Sequence, residues 1–214
     1  QQSPGEYRSS VAPAGPSWPV LKTATHEMVL AHTDPVDGQR EASARSFGEK
    51  IREYTSGRYT VRSYPDSVLG YDTRLLDLAA SGAIDFVVAG SSIYAQYLRQ
   101  MSLLMSPFLV HSLDDGWHLY ADSFHSRVWY KALESSGFKI LTALERGFRC
   151  LTTRRPISGP ADLKGLRIRV PPNPIHEIIW RNIGAIPVYM AIDKVREALE
   201  KDVIDGQENP ISTI

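Results

Sequence analysis

Cysteine occurs once in 214 residues, at Cys150. A single thiol excludes an internal disulfide framework and any structural zinc site built on cysteines. No stretch approaches the roughly 18 consecutive apolar residues of a membrane-spanning helix. An excess of either charge is also missing: 24 basic side chains face 24 acidic ones. Nucleic-acid binders concentrate a basic surplus on one surface, so nucleic acid is not an expected partner. The common catalytic signatures are absent as well. There is no phosphate-cradling glycine loop, no G-x-S-x-G elbow and no H-E-x-x-H.

What is present suffices for a sizeable core: 43% of residues are hydrophobic. At roughly 100–200 residues per domain, the length fits one large domain or two small ones. Residues 1–20 are rich in Ser, Pro, Gly and Ala, without hydrophobic period, a composition expected of an extended leader. They carry neither a starting methionine nor an apolar signal core, as in a processed, exported protein.

From Leu21 onward, strand and helix patterns alternate. A strand is expected at Lys22–Ala31, and a helix follows in which Ala44, Phe47, Ile51 and Tyr54 recur at helical spacing until Gly57. Strands at Tyr59–Tyr64 and Ile84–Ala89 flank a helix at Asp72–Ala80. Helical patterns cover Ile93–Leu98 and Leu113–Ser135, ahead of a strand at Phe138–Leu144. The second half gives strands at Arg149–Thr153, Leu166–Val170, Ile186–Tyr189 and Val203–Ile204, with helices at Ile175–Ile183 and Ile192–Leu199. Alternation of this kind implies an α/β fold with parallel or mixed sheets. A boundary near residues 144–147 would separate 21–146 from 147–214.

Metal and nucleophile candidates are weak. His111, His118 and His125 lie seven apart, about two helical turns or ~10 Å, too far for two imidazoles to share an ion. In the group His26, Glu27, His32, Asp34 and Asp37, a strand sends His26 and Glu27 to opposite faces. Cys150 has Arg149 beside it but no base nearby in sequence.

The informative residues are basic. In Leu166-Arg167-Ile168-Arg169-Val170 the period of two puts the apolar side chains on one face and both arginines on the other. Pro171-Pro172 ends the strand, so Arg169 stands near its C-terminal edge, where open α/β sheets bind ligands. A guanidinium there matches a carboxylate with two parallel donors. Both arginines could equally form ion pairs with surface acids, and Arg149 alone is no more telling.

Three segments resemble, in order and spacing, the substrate-binding proteins of TRAP (tripartite ATP-independent periplasmic) transporters. They are Gly147-Phe148-Arg149-Cys150-Leu151-Thr152, then Asp162-Leu163-Lys164-Gly165-Leu166-Arg167-Ile168-Arg169-Val170-Pro171, then Val203-Ile204-Asp205-Gly206-Gln207-Glu208-Asn209-Pro210. The likeness runs from about Lys22 to Ile214. It implies a periplasmic-binding-protein-like α/β fold, in which two lobes with mixed sheets close on a small organic acid. It also implies that Arg169 makes the main salt bridge to the ligand carboxylate, with Arg149 and Asn209 adding contacts. No catalytic residue, metal or cofactor is implied. The implied location is the periplasm, and the implied partners are the acid and the TRAP membrane permease.

Two departures leave the ligand open. Some members place an acid after the segment equivalent to Asp85-Phe86, where this chain has Ala89-Gly90-Ser91-Ser92, and Arg196 replaces a tyrosine that often faces the cleft. The family also continues where this chain stops, four residues after Pro210, so a C-terminally shortened second lobe is expected. That feature motivates an alternative reading, a scaffold or accessory subunit of a larger, membrane-associated assembly. A carboxylate-handling hydrolase or isomerase would need a nucleophile–base pair, and the sequence offers none.

Overall fold

The computed structural model describes residues 25–120 and 124–214. Its elements in chain order are β1 (His26–His32), α1 (Gln39–Tyr54), β2 (Tyr59–Tyr64), α2 (Asp72–Ala80), β3 (Phe86–Val88), α3 (Leu113–Tyr120) and α4 (Phe124–Glu134). Then come β4 (Arg149–Thr153), β5 (Arg167–Val170), α5 (Pro174–Ile183), β6 (Ile186–Tyr189), α6 (Val195–Glu200) and β7 (Gly206–Pro210). Among the described residues, no helix is long and apolar enough to cross a membrane.

The first sheet has the order β2-β1-β3 and is parallel throughout. Its central strand becomes fully buried toward its C-terminal end at Leu30, Ala31 and His32, as expected of a parallel strand covered on both faces. α1 lies close against β2, since a Cβ on Gly48 would come 3.3 Å from the Val61 Cβ. Phe47 meets Phe86 edge to face at 5.0 Å. α2 turns Leu75 into a cluster with Ala31 and Ile84, and Leu76 into a second with Tyr94, Met101, Leu104, Leu133 and Phe138.

The second sheet has the order β4-β7-β5-β6, with β4 antiparallel to β7 and the other pairs parallel. Ile168, Leu163, Leu166 and Ala185 form its main core, and Ile204 anchors a cluster with Val195 and Ala198. Gly206 is required by close approach: a Cβ there would lie 2.5 Å from the Thr152 carbonyl oxygen. Asn173 caps α5 by accepting from the Ile175 N–H (3.0 Å), and Gly184 ends it at φ +95°.

Polar contacts join the two halves. Asn173, fully buried, donates to the Ser92 carbonyl at 3.1 Å, and Arg146 donates to the Ser212 carbonyl at 3.4 Å. The α/β architecture with two sheets is the one expected, although only the second sheet is mixed.

Several elements differ from the sequence reading. No strand forms at 138–144: Phe138 is buried and Ile140 packs on the same cluster, but the segment joins no strand ladder among the described residues. The pattern at Leu113–Ser135 is two helices on either side of residues 121–123, and Ile93–Leu98 shortens to a 3-10 turn at Ile93–Gln96. The last strand is not Val203–Ile204 but β7, because Ile204 is a core plug while the ladder starts at Gly206. The leader at 1–20, the start of the first strand at Lys22 and the side chain of His125 lie outside the described residues.

Candidate functional site

β5 delivers its two arginines to different fates. Arg167 donates to Asp205 through Nε (3.0 Å) and Nη2 (2.7 Å), and its backbone N–H adds a third bond at 2.8 Å. Those bonds hold the Asp205 carboxyl down to about 2. Here the ion-pair alternative is the right one. Arg169 is only 4% exposed, and its Nε donates to the Met190 carbonyl at 2.9 Å. No carboxylate lies within 4.0 Å of it among the described residues. Burial, and then the charge of Arg149, push its guanidinium down to about 10, so it stays charged at neutral pH.

β4 and β7 build the adjoining cluster. Arg149 meets a Glu208 carboxylate oxygen through Nε, and its Nη2 donates to the Glu208 carbonyl (2.7 Å) and to Asn209 Oδ1 (3.1 Å). Asn209 donates to Gln207 Oε1 at 2.6 Å, which fixes its amide and leaves its second N–H for another acceptor. His176 Nδ1 lies 3.0 Å from the other Glu208 oxygen. Burial works against the Glu208 charge, but the close contacts from His176 and Arg149 win and hold the carboxyl below its ordinary range.

Four of these side chains face a cavity of about 1330 Å³ lined from both halves of the molecule, and the lining includes Arg40, Arg146, Arg149, Arg169, His176 and Asn209. On the wall facing them, Arg40 pairs with Asp72 (3.1 Å) and Asp34 (3.5 Å), and Arg146 with Asp34. Arg149 pairs with Glu208. Arg169 is thus the one arginine of the described lining without a carboxylate. An acceptor-bearing anion beside it would gain a buried counter-charge, a free fork and the spare Asn209 N–H.

The cavity therefore brings together Arg169, Arg149 and Asn209, the three residues singled out in the sequence. His176 also lines it, and Glu208 stands behind Arg149 and His176; sequence reasoning missed both. Glu208 sits inside the G-Q-E-N-P segment, but nothing in one sequence links His176 on α5 to β7. Arg196 is solvent-facing and pairs with Glu200, away from the cavity. Ser92 spends its carbonyl on Asn173. Cys150 is half-buried with Sγ 3.8 Å from the Phe148 carbonyl oxygen. No group of three His, Cys, Asp or Glu among the described residues could hold a metal, and His32 instead packs against Glu41 at 2.9 Å.

The model of the family described as bacterial extracellular solute-binding protein, family 7, matches residues 30–214. A solute-binding protein of Roseobacter denitrificans is 33% identical over 185 residues, covering 86% of this chain and 57% of its own. Its crystal structure, with bound L-galactonate, superposes at a TM-score of 0.83 with 29% identity, over 89% of this chain and 63% of that one. The 2,3-diketo-L-gulonate-binding periplasmic protein YiaO of Escherichia coli is 34% identical over 183 residues, 85% of this chain and 55% of its own. A TRAP periplasmic solute binding protein from Bordetella, with density assigned as pantoate, is 32% identical at a TM-score of 0.84, covering 89% and 63% of the two chains. The chain spans little more than half the length of the curated relatives it matches. The family consists of solute receptors, not enzymes. With its fold shared and residues 30–214 matched, the chain belongs to family 7 of the bacterial extracellular solute-binding proteins, the receptors of TRAP transporters.

Proposed function

We propose that this chain provides the carboxylate-binding site of a periplasmic receptor, which captures a small organic acid and delivers it to a TRAP membrane permease without chemical turnover. The observation that carries this reading is Arg169, a buried cation facing the cavity with no carboxylate partner. Burying an uncompensated charge costs several kcal/mol, and an anionic ligand relieves that cost. Arg149 and Asn209 supply further donors, and the halves carrying β1–β3 and β4–β7 act as the two lobes that close over the acid. The test is isothermal titration of the chain with L-galactonate, pantoate and D-erythronate, acids held by structurally similar receptors. Saturable binding of at least one, with the acid recovered unchanged, is expected. Converted product, or no binding to any of a wider carboxylate panel, would sink the reading.

A further inference from the structure

We propose that His176 is a positioning residue of the carboxylate site: by occupying one oxygen of Glu208, it confines Arg149 to the other and keeps the free end of that guanidinium turned to the cavity. The inference rests on the reading of Arg169, Arg149 and Asn209 as ligand donors.

His176 is 4% exposed on α5, and Glu208 is 5% exposed on β7. The imidazole Nδ1 stands 3.0 Å from Glu208 Oε1, an ion-pair contact whose angle falls short of a hydrogen bond, and Oε1 has no other protein partner among the described residues. An ionised carboxylate only accepts, so the Nδ1 that faces it is a proton-bearing nitrogen. Glu208 Oε2 is left for Arg149, which meets it with Nε, while Nη2 is taken up by the Glu208 carbonyl and Asn209 Oδ1. Nη1 has no protein partner among the described residues.

Were both carboxylate oxygens open, the guanidinium would turn into the stronger two-pronged pair with Glu208. Its Nη2 would then leave Asn209, and the amide would lose the contact that orients it. Fold stability does not account for a histidine here. His176 Nε2 is buried without a partner, a penalty of about 1–3 kcal/mol that an apolar side chain of similar size avoids.

The experiment compares the chain with His176→Leu, which removes both nitrogens, and His176→Asn, whose amide N–H stands where Nδ1 stood. Titration with L-galactonate and the Arg149 Nε–Hε resonance of the unliganded protein are the readouts. H176L should bind about tenfold more weakly and shift the resonance, since a charge-assisted contact is redirected. H176N should stay within about threefold of the parent and leave the resonance in place. Should H176L fail to fold, H176Q, whose amide reaches the Nε2 position instead, carries the same contrast with H176N. Equal binding by parent and H176L, or equal weakening in H176L and H176N, would overturn the positioning role alone. A parent chain that binds no acid removes the reading of the site and this inference with it.

Discussion

Arg169 and Gln207 sit opposite each other in the ladder between β5 and β7, which sets the cavity's unpaired cation beside the strand that bears Glu208 and Asn209. Two residues earlier on β5, Arg167 is fully engaged with Asp205. One strand thus carries an arginine locked in an ion pair and an arginine facing the cavity, and substitutions can tell them apart.

Arg169→Lys keeps the charge but loses the planar fork. Affinity for the bound acid should fall about tenfold to a hundredfold. Arg167→Lys, placed on the Asp205 pair, should leave affinity near that of the parent. Titration of both variants against one carboxylate settles the assignment, and equal loss in the two would contradict it.

Arg169→Met removes a buried charge while roughly preserving volume. Binding should vanish, while the melting temperature of the ligand-free chain should stay level or rise, because no desolvated cation remains to be accommodated. A clear drop in that temperature would mean Arg169 stabilises the fold itself.

Acid should weaken the fold in a defined window. Asp205 is held down to about 2, chiefly by Arg167, and Glu208 and Glu41 also sit below their ordinary 4.5. A depressed folded-state value means the unfolded chain binds more protons in between. Stability is therefore complete above about pH 4.5 and declines as pH falls toward 2. Melting curves from pH 6 to 2.5 should show this, and Asp205→Asn should flatten the lower part of the profile.

Gly206→Ala should be severely destabilising, since a methyl group 2.5 Å from the Thr152 carbonyl forces β4 and β7 apart. Asn173→Ala should cost about 1–3 kcal/mol, because it removes the cap of α5 and leaves the buried Ser92 carbonyl without its donor. Chemical denaturation of the two variants measures both.

The sequence was most legible where local pattern and tertiary role agree. Tyr59–Tyr64, Arg149–Thr153 and Ile186–Tyr189 form strands with those bounds, and Asp72–Ala80 forms a helix. The segment 138–144 is as apolar as a strand, but a strand also needs a partner, and pairing is decided by distant chain. β7 was hidden for the opposite reason. Its residues are Gly-Gln-Glu-Asn-Pro, buried by hydrogen bonds to one another and to β4 rather than by hydrophobic packing, so apolar periodicity does not register it. Arg169, Arg149 and Asn209 were reached through family resemblance. His176 acts across a contact 32 residues long in sequence, between α5 and β7, which no local pattern encodes.

The order β4-β7-β5-β6 also constrains the timing of folding. The strand latest in sequence fills the centre of the second sheet, so until residues 206–210 emerge, β4 has no ladder and β5 pairs only with β6. Non-local closure of this kind is slow. During synthesis the half-built sheet offers two open edges to any chaperone or neighbouring chain. Asn209, which lines the cavity, lies on the same strand that fills that gap.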